Sequence, residues 1–290
     1  MLVSVIVPFY KGNKYICDLC SSIEKNAQYL KENQSDCFLE CIIVNDSPDV
    51  NVILPNNDFH FKIQVVYHEK NAGIQQARVT GLKFAKGDYI VFLDQDDELL
   101  EYAIFEEIHN IGNADVLICN AFLEDNNHET HELYSTKGML KNALTLNAYI
   151  FGHNRIVSPG HCMIKKSSVP KEWRHNIMDV NGSDDLFLWI LMFSRGSIFK
   201  ADSKTVYIHK YTGENLSAAS NAMTQSSLSM VKYLSQVDYV NDDIVKSLER
   251  DRSFFLKLEA AKGVKKMLLM ISHIDLIFKH FKYKLQSKMN

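Results

Sequence analysis

The chain lacks any apolar run long enough to cross a membrane. The longest stretch, Met267 to Phe278, is interrupted by Ser272, His273 and Asp275. Its start carries neither a basic leader nor a cleavage site, so Met1 to Pro8 reads as a strand of the mature protein rather than a signal peptide. No Gly-x-Gly-x-x-Gly follows the first apolar run and no Walker sequence occurs, which argues against a Rossmann dinucleotide site and a P-loop. Internal repeats and low-complexity segments are missing too. Nor is there a strong excess of one charge: the net value is -3, with 46% hydrophobic and 23% charged residues, the composition of an ordinary soluble core. A length of 290 residues suits one large domain plus an appendage.

The charge is unevenly spread. Residues 251–290 hold nine Lys/Arg against three Asp/Glu, about +6, which leaves residues 1–250 at about -9. Basic charge confined to one tail gives no support to a nucleic-acid partner. The six cysteines include Cys17, Cys20, Cys37 and Cys41, which superficially resemble two zinc-binding pairs. Cys20, however, continues the helical apolar series Ile16, Cys20, Ile23, Ala27, Leu30, and Cys41 belongs to a strand run, so buried free thiols are expected. Without a secretion signal, a reduced cytoplasmic setting follows.

The most informative stretch is Tyr89 to Glu98. Tyr89-Ile90-Val91-Phe92-Leu93 has the length of a buried strand, and Asp94, Asp96 and Asp97 follow at once. Like charges this close repel unless a cation sits among them, and hard oxygens at this spacing suit Mg²⁺ or Mn²⁺. A solvated acidic turn or a helix N-cap would use the same residues.

Other runs place this one in a sheet. Val3 to Val7 reads as a strand ending at Pro8-Phe9-Tyr10, then a helix from about Lys14 to Leu30. Phe38 to Asp46 is a second buried strand ending on a carboxylate, and Lys62 to Tyr67 a third. Asn71-Ala72-Gly73 opens a helix carrying Ala77, Arg78, Gly81 and Phe84. Strands alternating with helices predict an α/β fold whose mixed, mostly parallel central sheet is flanked by helices. Four strand ends would then bring Pro8–Tyr10, Asp46, Asn71 and Asp94–Asp97 to one edge, where open sheets bind ligands. With no glycine loop for phosphates, a nucleotide bound there would need its own metal on the carboxylates. Further on, a helix from Leu99 to Ile111, a strand from Asp115 to Ala121, a polar loop from Asp125 to Glu132 and a short helix from Leu144 to Phe151 are expected.

Val5-Ile6-Val7-Pro8-Phe9-Tyr10, Ile42-Ile43-Val44-Asn45-Asp46-Ser47, Asn71-Ala72-Gly73 with Ala77-Arg78, and Tyr89 through Asp97 together resemble the family-2 glycosyltransferases, in that family's order and spacing. The resemblance covers about residues 2–217. It implies a GT-A fold over 1–217, with a nucleotide-binding half (1–100) and an acceptor half (101–217), and leaves 218–290 as a helical extension. It also implies inverting transfer of a sugar from a nucleotide-diphosphate donor, a UDP-sugar, to a hydroxyl of a glycan or lipid-linked glycan. Pro8, Phe9, Tyr10, Asn71, Gly73 and Gln95 would line the nucleotide site, Asp46 would read the base and Arg78 would support the pocket. Asp94 and Asp96 become the metal-binding Asp-x-Asp for Mn²⁺ or Mg²⁺, with Asp96 the direct ligand.

Ser158 to Lys166 resembles the strand opening the acceptor half, where His161 would contact donor or acceptor unless it is a hydrogen-bonded wall residue. In Asn181-Gly182-Ser183-Asp184-Asp185 two acids open a helix that continues through Leu186 and Trp189. Relatives carry Glu-Asp there, so Asp185 aligns with the general base, while Asp184, in place of Glu, and Trp189 would face acceptor or donor sugar. Inverting displacement needs one carboxylate to take the acceptor proton and a metal to stabilise the leaving diphosphate. Val206 to Ser217 resembles the segment closing over the diphosphate, with His209 for metal or phosphate and Lys210 for charge neutralisation. A non-catalytic sugar-nucleotide-binding subunit would not need Asp185. A phosphatase would place its Asp-x-Asp after the first strand and before Thr, which is not the case here.

The tail is helical in pattern. Val264, Met267, Ile271, Ile274, Phe278, Phe281 and Leu285 step by three and four, with lysines over much of the rest. Such a basic amphipathic segment lies on an anionic membrane surface, forms a homodimer seam, or packs on its own domain.

Overall fold

A computed structural model describes residues 1–152, 154–213 and 220–289. In the amino-terminal part, β1 (Leu2–Phe9), α1 (Ile16–Glu32), β2 (Phe38–Asn45), β3 (Lys62–Tyr67), α2 (Ile74–Phe84) and β4 (Tyr89–Phe92) alternate. Then come β5 (Glu98–Leu99), α3 (Ala103–Ile111), β6 (Val116–Glu124) and β7 (Thr130–Glu132). Helices α4 (Lys137–Ala143) and α5 (Leu146–Phe151) precede β8 (Cys162–Lys165), α6 (Lys171–His175), α7 (Asp184–Ser194) and β9 (Phe199–His209). Four helices close the chain: α8 (Ser220–Leu234), α9 (Asp242–Ala260), α10 (Gly263–Ser272) and α11 (Ile274–Gln286).

The chain divides into two compact units that interleave along the sequence. One comprises 1–133, 156–169 and 197–213; the other comprises 134–155, 170–196 and 214–290. The sequence reading instead sets its single major boundary at 217. Helical segments inside 134–196 find their partners among the carboxy-terminal helices, which local pattern does not reveal.

The first unit holds, among the described residues, one nine-stranded sheet in the order β3-β2-β1-β4-β8-β6-β9-β5, with β7 on β6. Strands β3, β2, β1 and β4 are parallel, while β8 runs antiparallel to both β4 and β6. Strands β1, β2 and β4 are buried on both faces, as parallel strands covered by helices must be, while the edge strand β3 is partly exposed. Val3, Val5, Val7 and Phe9 pack with Ile16, Leu19 and Ile23 of α1. On the other face α2 lies so close that a Cβ on Gly81 would come within 2.3 Å of Ile6.

Proline in a central strand has a topological explanation. Asp46 N–H donates to the Phe9 carbonyl and Leu93 N–H to that of Ile6, so odd residues of β1 bond β2 and even residues bond β4. The β1–β4 ladder ends at Ile6. Pro8 therefore lacks its N–H where no acceptor strand remains, and β1 and β4 part beyond it.

Long-range pairing alters three local expectations. Leu99, expected to open a helix, is instead in a strand with Glu98, because the two pair with Tyr207 and Ile208 of β9, and α3 starts only at Ala103. The expected polar loop 125–132 ends in β7, which forms a hairpin with Phe122 to Glu124. His161 sits on a single 3₁₀ turn, Pro159–His161, ahead of a strand shortened to Cys162–Lys165.

The second unit is helical throughout its described part. Trp173, Trp189, Tyr149 and Phe254 are fully buried there. Buried Arg252 donates to the carbonyls of Tyr149 and Ile150 at 2.9 and 3.0 Å, joining α9 to α5. Its neighbour Asp251 accepts from His280 of α11 at 2.6 Å.

Candidate active site

Parallel β1 to β4 deliver their carboxyl ends to one edge, and the acidic cluster follows β4 there. Each acid is handled differently. Asp94 accepts from the Arg78 guanidinium at 2.6 Å and from Ser158 Oγ at 3.1 Å. Buried Asp97 accepts from the Tyr207 hydroxyl, from His209 Nδ1 at 3.0 Å and from Lys210 N–H at 2.8 Å. Asp96 is met by its own backbone N–H and by a 3.5 Å contact from Thr212 Oγ1, and has no ion-pair partner among the described residues. Burial, then the charges of Asp97 and Asp94, push its carboxyl up to about 6. Burial opposes a charge on His209, but the bond to Asp97 and the three nearby carboxylates outweigh it and raise the imidazole to about 9. With Nδ1 held by Asp97, Nε2 is the nitrogen left: protonated it donates to a phosphate oxygen, and it can ligate a metal only after giving up that proton.

Hard oxygens, one imidazole and an unbalanced carboxylate form a donor set that fits Mg²⁺ or Mn²⁺. Among the described residues no three His, Cys, Asp or Glu side chains come close enough to hold a metal by themselves. Any ion here would need ligands from a diphosphate or water.

The remaining nucleotide-site candidates fall into two groups. Tyr10 is half exposed, and Gln95 clamps its backbone, accepting from Tyr10 N–H at 2.9 Å and donating to its carbonyl at 3.2 Å. Gly12 must be glycine for this clamp to form, since a Cβ would lie 2.1 Å from Gln95 Oε1. Asp46 accepts from Ala72 N–H at 2.7 Å, Gly73 N–H at 2.8 Å and His68 Nδ1 at 2.8 Å. A carboxylate has about four acceptor positions, so one remains for a base. Gly73 caps α2 with φ +88°, a conformation that suits glycine, and Asn71 Oδ1 accepts from its N–H at 3.1 Å.

Burial corrects the other expectations. The Phe9 ring belongs to the core beneath β1, so only its backbone lies at the strand end. Fully buried His161 donates from Nδ1 to the Cys119 carbonyl at 2.7 Å, and burial lowers its pKa to about 4, so it is a neutral wall residue rather than a sugar contact. Trp189 is fully buried in the helical unit and cannot present its ring to an acceptor. The Lys210 ammonium pairs with Glu98 at 2.9 Å. Glu214 to Ser217 lie outside the described residues.

In the helical unit Asp184 and Asp185 open α7, where the helix dipole favours acids. Asp184 is buried, and its carbonyl accepts from Trp173 Nε1 at 2.7 Å. Asp185 is partly exposed; Oδ2 accepts from Asn154 Nδ2 at 2.7 Å and Oδ1 from Leu186 N–H at 2.7 Å. Asn154, Ser158 and His68 escaped the sequence reading because they act on carboxylates far away in the chain or, for His68, across a turn without motif character.

Strand order, flanking helices and an acidic cluster beyond β4 define a GT-A type α/β protein. The sequence model of glycosyl transferase family 2 matches residues 4–173, more than half of the chain, and the chain belongs to that family. It is 28% identical over 208 residues to the poly(ribitol-phosphate) β-N-acetylglucosaminyltransferase TarP of Staphylococcus aureus, covering 69% of this chain and 60% of TarP. The chain thus spans less than two thirds of this relative. Residues 1–349 of S. aureus TarS with UDP-GlcNAc share the fold at a TM-score of 0.63 and 18% identity, over 96% of this chain and 81% of that one. So does a Pyrobaculum calidifontis mannosyltransferase with GDP-Man and Mn²⁺, at 0.57 and 14%, over 99% and 83%.

Proposed function

We propose that this chain is a metal-dependent inverting glycosyltransferase. It moves a sugar from a UDP-sugar to a hydroxyl of a glycan or lipid-linked glycan. The observation that carries this reading is the acidic cluster: Arg78 pairs with Asp94 and His209 with Asp97, while Asp96 forms no ion pair among the described residues. Asp96, with His209 beside it, would hold Mn²⁺ or Mg²⁺, which would offset charge on the leaving diphosphate. Around it Gln95 orients Tyr10, and Asp46 keeps one acceptor position for the N–H of a base. Asp185, anchored by Asn154, takes the proton from the acceptor hydroxyl as that oxygen attacks the anomeric carbon. TarP's N-acetylglucosaminyl transfer makes UDP-GlcNAc the first donor to screen. A glycan or polyol acceptor chain fits the same relative. Six free cysteines suit a reducing cytoplasm, where the sugar nucleotide would be met.

Calorimetry with UDP, in Mn²⁺ and in chelator, on the parent chain and Asp96→Ala tests this reading. Metal-dependent binding that the substitution removes is expected. Absence of nucleotide binding with any metal would overturn the donor-site assignment.

A further inference from the structure

The helices α10 and α11 leave an unusual surface. Ten of the large apolar side chains exposed among the described residues fall within 264–289. Helix α10 buries no residue at all, although Val264, Met267, Leu268 and Ile271 share one side of it. Helix α11 is apolar on two opposite faces. At about 100° per residue, Leu276 and Tyr283 lie together on one face, and both are buried. That face is tied down: Asn142 donates to the Tyr283 carbonyl at 3.0 Å, and Thr136 to that of Ser287 at 2.6 Å. Ile274, Phe278, Phe281 and Leu285 fall within about 60° of arc on the opposite face. They are 49–63% exposed. A terminal helix that only packs on its own domain turns a polar face outward. This one does not.

Charge identifies what covers the surface. Residues 262–288 contain seven lysines and a single carboxylate, Asp275. Asp275 is already held by both Nη atoms of Arg250, at 2.6 and 2.8 Å. On α11, Lys282 borders one edge of the outward apolar arc and Lys284 lies toward the other, with Lys288 following just past the helix end. Two copies meeting through this surface would set like-charged rims against each other. A bilayer with anionic headgroups meets both requirements, taking the apolar arc into its acyl boundary and the lysines into its phosphates. The helices are 10 and 13 residues long, separated at His273, and neither can cross a membrane. Both suit a position within the interface plane.

We propose that α10 and α11 form a peripheral docking surface for anionic lipid bilayers. This inference stands independently of the donor-site reading, because it needs no nucleotide.

The test is sedimentation of the full chain with vesicles of phosphatidylcholine, with and without phosphatidylglycerol, at low and high salt. Parallel sedimentation velocity without lipid reads the oligomeric state. Phe278→Ser with Phe281→Ser, and Lys284→Glu with Lys288→Glu, are the variants; all four side chains are exposed, so unchanged melting is expected. The proposal expects binding that needs phosphatidylglycerol, weakens in salt, and falls about tenfold or more in each double variant. Failure to bind anionic vesicles would overturn it. So would binding unaffected by either variant, or self-association in solution that the phenylalanine changes abolish, which would assign the surface to a second copy.

Discussion

Glu107 on α3 offers a sharp test of the packing beneath the sheet. It is fully buried, and neither carboxylate oxygen has a hydrogen-bond partner among the described residues. Burial pushes its pKa from 4.5 up to about 8. The unfolded chain therefore loses this proton near pH 4.5, while the folded chain keeps it to about pH 8. Stability contributed by the neutral form is complete below the lower value, declines as pH rises through the window, and is lost above the upper one. Each pH unit of the window corresponds to about 1.4 kcal/mol, so the whole span approaches about 5 kcal/mol, and about 3 kcal/mol is already lost at pH 7. Relaxation around the charge reduces both figures. Glu107→Met keeps helix propensity and approximate volume while removing the titrating group. Urea unfolding followed by circular dichroism at pH 5, 7 and 8.5 should show a stabilisation that grows with pH, reaching about 3–5 kcal/mol at the highest value. A constant difference across that range, or a variant less stable at pH 8.5, would refute the reasoning by showing that the carboxylate finds compensation.

Two further outcomes bear on the proposed reaction. Asp185→Asn preserves shape and accepts from either Asn154 Nδ2 or Leu186 N–H, not both, but cannot take a proton. Turnover should fall by about 10² to 10⁴ while UDP affinity measured by calorimetry stays within about twofold; retained turnover would remove Asp185 from the role of base. Gly12→Ala would force Gln95 off Tyr10, since the new Cβ would lie 2.1 Å from its amide oxygen. Losing the orientation of Tyr10 should weaken nucleotide binding several-fold, and losing two neutral hydrogen bonds of up to about 1 kcal/mol each should lower the melting temperature by a few degrees. Equal affinity in Gly12→Ala and the parent would show that the clamp does not shape the pocket.

Much of this protein is legible without coordinates. Apolar runs of strand length, punctuated by Pro8, Asp46 and Asp94, already define parallel strands whose carboxyl ends share an edge, because parallel strands covered by helices must be continuously apolar. The carboxylates beyond β4 are legible as a cluster of like charges, which repel one another in any fold. The seven-residue stripe from Val264 to Leu285 is likewise readable, because helical periodicity is a local property. What each group touches is not local. Whether Asp94, Asp96 or Asp97 is left without an ion-pair partner depends on Arg78, Ser158, Tyr207 and His209, which arrive from three separate segments. The strand character of Glu98-Leu99 comes from β9, more than a hundred residues later. Burial removed Phe9, His161 and Trp189 from the contacts their chemistry suggested. Periodicity found the tail's stripe, but the docking of Leu276 and Tyr283 turned that stripe outward. Propensity and spacing act over a few residues, whereas burial and charge pairing depend on which distant segments the fold brings together.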